Sequence, residues 1–322
     1  NTYFIYMSFN NFSDNSIDIN VGSSASDNGE YPDFCGRAAR DKSLFLKFRS
    51  HPIYKQVLEH FTKDFGLECL DFLESTSPFL LENLNTYKNN DLVGGADTYK
   101  FGKYGILSPS TLRYIANLAQ ITQVFPDLTD MNIVEIGCGY GGLCKIIQDS
   151  FGVKSYTIID LPQVLELTEV YLASFGDKYT NKTNLLDFDK LDKTIPIKVF
   201  DLCISNCAFT ECIPSIQDIY LKKIIKNSNK GFIIYNLRLE SYHPAVLLEK
   251  IKYLHNTKNI GVIQEKPLTC KTNFILVWGY NNGIVTDMLP FLGQRILYRI
   301  SPSLLKITKQ VKRILKANLK KN

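Results

Sequence analysis

In Asn132-Ile-Val-Glu-Ile-Gly-Cys-Gly-Tyr-Gly-Gly142 an apolar run carrying one acid leads straight into four glycines within six positions, and a leucine-rich helical pattern follows. A strand that ends in such a loop and opens a helix is a nucleotide-binding turn. Glycines let backbone approach a ligand where a Cβ would collide. The N–H groups at the start of the helix favour negative or lone-pair-rich groups. A turn with no ligand would forfeit the backbone entropy of four glycines for a mere change of direction, so the ligand reading is preferred.

Two cofactors compete for this loop. Gly137-x-Gly139-x-x-Gly142 satisfies the dinucleotide fingerprint, while Glu135-x-Gly137-x-Gly139-x-Gly141 satisfies the first motif of S-adenosylmethionine (SAM) methyltransferases. Glu135 favours SAM, because a carboxylate repels a pyrophosphate but attracts a sulfonium and an ammonium. Ser155-Tyr-Thr-Ile-Ile-Asp160 reads as a buried second strand, and Leu161-Pro162 opens another helix. Asp160 lies 23 residues after Gly137, the spacing at which an acid meets ribose hydroxyls. Alone it reads equally as a helix N-cap; beside the glycine loop it is assigned, with Leu161, to the cofactor.

From residue 132 the pattern alternates regularly, with strands expected near 132–136, 154–159, 183–186, 199–205 and 231–235 and helices near 141–150, 162–175, 215–226 and 244–255. Such alternation predicts a mostly parallel sheet covered on both faces. Ile260-Gly-Val-Ile-Gln264 and Thr272-Asn-Phe-Ile-Leu-Val-Trp278 are strand-like runs joined by a link too short for a parallel crossover, so the last pair must be antiparallel. The expected architecture is a Rossmann-like, seven-stranded sheet ending in an antiparallel hairpin. Residues 1–105 read as a polar start, a helical cap over Tyr31–Leu84 and a long polar loop; residues 106–285 form the body, and 286–322 a tail.

The net charge of +5 is unevenly placed: from Met288 onward there are nine Lys or Arg and no acid, and subtracting nine from +5 leaves −4 for the rest. A mildly acidic body argues against a nucleic-acid groove. In the tail, Leu304, Ile307, Val311, Ile314, Leu315 and Leu319 fall on one helical face after the cap Ser301-Pro302. Residues 301–322 thus suit a membrane surface or a partner protein. No apolar run reaches bilayer-spanning length. The eight cysteines include no CxxC pair, and no histidine stands at zinc-ligand spacing, so no metal site is expected. Reduced thiols in a cytoplasmic protein, with the tail at the inner membrane face, fit this pattern.

With these motifs in place the chain resembles the sugar O-methyltransferases of bacterial polysaccharide gene clusters, from about Tyr31 to Tyr280. The resemblance rests on Ser108-Pro-Ser-Thr-Leu-Arg-Tyr114, Val134–Gly142, Ile159-Asp-Leu-Pro-Gln-Val-Leu-Glu-Leu167 and Asp201-Leu-Cys-Ile-Ser-Asn-Cys-Ala-Phe-Thr-Glu211. Cys138 stands where the family loop commonly has glycine. The resemblance implies methyl transfer from SAM to a sugar hydroxyl, nucleotide-linked or within a glycan. It also implies that Asp187 meets the adenine amino group and Phe188 packs on the ring. Ser205 and Asn206 end the fourth strand, where they would face the methionine part of SAM. Glu211 and His243 follow the fourth and fifth strands, and histidine has the right pKa for a general base. Arg113 is placed to clamp the SAM carboxylate, and Tyr104 and Ser108 are assigned to the acceptor. Each also has a structural reading: loop acid, turn residue, helix start or helix surface. A lipid or aromatic acceptor, or a non-catalytic assembly module, are the rival functions; the sequence leaves the oligomeric state open.

Overall fold

The computed structural model describes residues 27, 29–191, 199–236, 241–256 and 259–280. The tail call at 301–322 therefore lies outside the described residues. A small ribbon of β1 (Tyr99–Lys100) and β2 (Ile106–Leu107) precedes a seven-stranded sheet. The sheet comprises β3 (Asn132–Ile136), β4 (Ser155–Asp160), β5 (Thr183–Asp187), β6 (Phe200–Asn206), β7 (Ser228–Tyr235), β8 (Ile260–Gln264) and β9 (Phe274–Trp278). Their order is β5-β4-β3-β6-β7-β9-β8. The strands β3 to β7 run parallel, and β9 is antiparallel to both neighbours. This is a Rossmann-like, doubly wound α/β fold with an antiparallel end. The chain fills one side of β3 with β4 and β5 and then the other with β6 and β7. The carboxyl end of β3 is thus the switch point where such sheets bind ligands.

The terminal pair is antiparallel as expected, but the last strand is not the edge. β9 inserts between β7 and β8, and its five residues are all buried, whereas β8 is partly exposed. Burial of a continuous apolar run, Phe-Ile-Leu-Val-Trp, decides this. Trp278 lies where a Cβ on Gly231 of β7 would stand 2.0 Å from the indole, and its Nε1 donates to the Ser228 carbonyl at 3.1 Å. β7 begins at Ser228, earlier than its apolar stretch suggests, because Ser228 pairs with Phe200.

Side chains alternate across the sheet into two cores. Ile133, Tyr156, Ile158, Leu202, Phe232 and Val277 face one side, and Val134, Ile159, Cys203, Ile233, Leu276 and Trp278 the other. The first core also contains the N-terminal segment. Helix Glu30–Arg40 packs on helix Pro162–Ala173, with Gly36 against Gln163 and Arg40 bound to both oxygens of Glu166. Helix Lys63–Thr76 packs on helix Pro109–Val124. A buried guanidinium locks the two parts together. Arg49 binds Glu59 at 2.5 Å, Asp91 and the Asn90 carbonyl, and the Ser108 and Ser110 hydroxyls. The Asn85–Gly105 stretch, expected as a long loop, carries most of a short helix (Leu84–Tyr87), two 3-10 turns and strand β1.

Candidate cofactor and acceptor site

The glycine turn leaves β3 with Gly137, Gly139 and Gly141 all in the left-handed region, at φ of 74°, 62° and 87°. A side chain at any of the three would be strained. Gly141 is the N-cap of helix Gly142–Ser150 and has no side chain to cap it, which leaves the first N–H groups of the helix without a side-chain acceptor. The turn is braced from β4: the Asp160 carboxylate accepts from the Cys138 N–H at 2.9 Å and the Leu161 N–H at 2.8 Å. Burial pushes the Asp160 carboxyl up to about 6, with these backbone donors pulling the other way.

Between the turn and the loop after β6 lies a cleft of about 50 Å³, lined by Ile136, Gly137, Ile159, Asp160, Leu161, Phe188, Ala208, Cys212, Ile216 and Tyr220. Four of these, Gly137, Asp160, Leu161 and Phe188, are expected from the sequence. The apolar remainder carries no chemical signature, and only its position at strand ends gives it away. The cleft is narrow because Ala208 packs on the turn: a Cβ on Gly137 would lie 2.0 Å from that of Ala208. Phe188 stacks obliquely on Tyr220 at 5.1 Å. Asp187 pairs with Asp160 across the strands, yet its carboxylate caps the following turn at Asp189 and pairs with Lys190.

Other expected cofactor residues have different partners. Glu135 does not line the cleft. It is buried beneath the sheet, accepts from the Tyr156 hydroxyl at 2.8 Å, and is pushed by burial up to about 8. Burial thus works against a charge on Glu135, and its carboxyl is held by Tyr156 rather than turned to the cleft. Ser205 donates to the Ile136 carbonyl at 2.8 Å and accepts from the Phe209 N–H, joining β3 to the loop after β6. Asn206 next to it has a buried Oδ1 with no hydrogen-bond partner. Cys207 then turns the chain at φ 71°, a conformation non-glycine residues rarely hold.

Beyond this turn, Glu211 accepts from Asn236 Nδ2 at 2.6 Å, which joins the ends of β6 and β7. Arg113 is 8% exposed, its Nε has no partner, and its guanidinium lies 4.9 Å from the Phe61 ring centre. His60 stands beside Phe61, and the charges of both Arg113 and Glu211 reach it. Leu58, in the same loop, covers the glycine turn, 2.6 Å from where a Cβ on Gly139 would sit. The loop Leu58–Thr62 therefore meets the strand ends at the glycine turn. His243 is not brought to this group: its Nδ1 accepts from the Ala245 N–H at 3.3 Å and caps helix Pro244–His255. Ser108 is fully buried as the N-cap of helix Pro109–Val124 and a ligand of Arg49, so it faces no acceptor. The Ser-Pro dipeptide announces that cap. Tyr104 pairs with Glu74 at the periphery. A cavity of about 390 Å³ opens beside the loop, lined by Lys55, Glu59, His60, Phe61, Thr62, Lys63, Asp64, Asp97 and Tyr99.

No family model matches the chain, and no curated protein matches it. Among solved structures it is similar to the methyltransferase domain of bacterial CtHen1, at 11% identity over 52% of this chain and 96% of that one, with a TM-score of 0.41. It is similar also to an rRNA methylase from Streptococcus thermophilus, at 16% identity over 51% and 96%, TM-score 0.38. A third is the mitomycin 7-O-methyltransferase MmcR, at 16% identity over 53% and 57%, TM-score 0.35.

Proposed function

We propose that this chain is a SAM-dependent O-methyltransferase whose acceptor is a hydroxyl of a sugar. The observation that carries the reading is the left-handed glycine turn at the end of β3, braced by Asp160 from the end of β4 at the switch point of the sheet. Adenosine would lie over Asp160, Leu161 and Phe188, with the ribose hydroxyls donating to the Asp160 carboxylate. The unpartnered Asn206 Oδ1 and Arg113 Nε fit the ammonium and carboxylate of the methionine part. When bound, the cofactor supplies a methyl group on a sulfonium leaving group. The protein must then place the acceptor oxygen, exclude water and take up one proton.

The acceptor class is supported by the neighbouring cavity. Seven of its nine lining residues are polar or charged and two are aromatic. Polyhydroxylated rings need that mixture of hydrogen-bonding groups and flat apolar faces, whereas a lipid or aromatic acceptor would favour an apolar wall. The cofactor assignment is tested by calorimetric titration with S-adenosylhomocysteine, with NAD as the control. Binding of S-adenosylhomocysteine alone is the expected result; binding of NAD, or of neither, overturns the proposal.

A further inference from the structure

We infer that His60, supplied by the N-terminal segment rather than by the sheet, is the general base that takes the acceptor proton. This inference rests on the methyltransferase reading above. Four observations place His60 there. It lines the polar cavity where an acceptor would sit. Its loop is anchored over the cofactor turn, since Leu58 packs on Gly139. The next residue, Phe61, stacks with His60 at 4.5 Å and carries the Arg113 guanidinium on its ring. Glu211, held by Asn236, completes the group from the ends of β6 and β7.

Burial and then Arg113 hold the imidazole below its ordinary pKa, and Glu211 opposes them. In the transfer the acceptor O–H bond breaks and an O–CH₃ bond forms. The carbon–sulfur pair stays on sulfur, the proton passes to a ring nitrogen of His60, and it then leaves to solvent.

The test is methyl transfer from radiolabelled SAM to a panel of UDP-, GDP- and dTDP-linked hexoses and p-nitrophenyl glycosides, by the wild type, His60→Gln and His60→Ala. With the acceptor that the wild type uses best, kcat should fall about 10²- to 10⁴-fold in both variants. The affinity for S-adenosylhomocysteine should stay within twofold, and added imidazole should restore part of the kcat of His60→Ala. A histidine that merely shapes the loop would give neither the separation of kcat from cofactor affinity nor the rescue. Variants within threefold of wild-type kcat overturn the inference and leave the methyltransferase reading standing. A wild type that methylates no member of the panel overturns the sugar reading and this inference together.

Discussion

At the scale of single residues, one buried acid shapes pH dependence and two others depend on a buried cation. Asp160 has a folded pKa of about 6 against an ordinary 3.8, raised by burial. The folded chain thus holds this proton more tightly than the unfolded one. The stabilising contribution is full below about pH 4 and is lost as the pH rises through 6. Cofactor affinity runs the other way, because ribose hydroxyls need the ionised carboxylate. S-adenosylhomocysteine should bind about tenfold more weakly at pH 5 than at pH 7.5, the ratio of ionised fractions for such a pKa. Asp160→Asn should bind weakly at both, and an unchanged Kd across this range would remove Asp160 from the ribose site. Glu59 and Asp91 instead depend on the fully buried Arg49. Arg49→Met leaves two carboxylates without their cation, a loss of about 3–5 kcal/mol by the precedent of broken buried pairs. Urea unfolding should show it, and Arg49→Met/Glu59→Gln should recover part of it.

At the scale of elements, the glycine turn is both a backbone device and a contact surface. Gly137→Ala adds a methyl at a left-handed φ and drives it to 2.0 Å from the Ala208 side chain. The variant should lower S-adenosylhomocysteine affinity more than tenfold while the far-UV spectrum stays that of the wild type. Affinity within twofold of wild type would mean that the turn does not form the cofactor cradle. This turn was legible because glycine spacing is a backbone requirement written in residue type. So were β3 to β6 and the antiparallel end, through apolar runs and the length of the links between them. The insertion of β9 inside β8 was not, since both runs are apolar and only burial of Trp278 against Gly231 separates them. Site residues followed the same division. Asp160 is placed by its distance from the turn along one βαβ unit. The loop of Leu58, His60 and Phe61 reaches the glycine turn through Leu58 packed on Gly139, across more than seventy residues of chain, which no local pattern encodes. Histidine at a helix start, as in His243-Pro244, reads alike as base or cap: its Nδ1 takes the Ala245 N–H as a cap does, while its Nε2 is buried with no hydrogen-bond partner.

At the scale of the whole molecule, charge is segregated along the chain. With nine cations and no acid from Met288 onward, the remaining residues carry −4. Two such unlike parts have different affinities for an anionic surface: within a Debye length the tail is attracted and the body repelled. From the sequence, Leu304, Ile307, Val311, Ile314 and Leu319 alternate with lysines and arginines at helical spacing, a pattern proposed here to serve contact with an anionic membrane surface. Among the described residues no helix is long and apolar enough to cross a membrane; we propose that the basic tail attaches to an anionic surface by charge, and so gives way to salt. The full chain should sediment with phosphatidylglycerol vesicles at low ionic strength, stay free of phosphatidylcholine vesicles, and be released from the former by 0.5 M salt, a concentration at which screening shrinks to about 4 Å. Removing residues 301–322 should abolish sedimentation and leave S-adenosylhomocysteine affinity unchanged, since the cleft is built wholly from residues 136–220. Vesicle binding that survives the deletion would place the contact on the body, against its net charge.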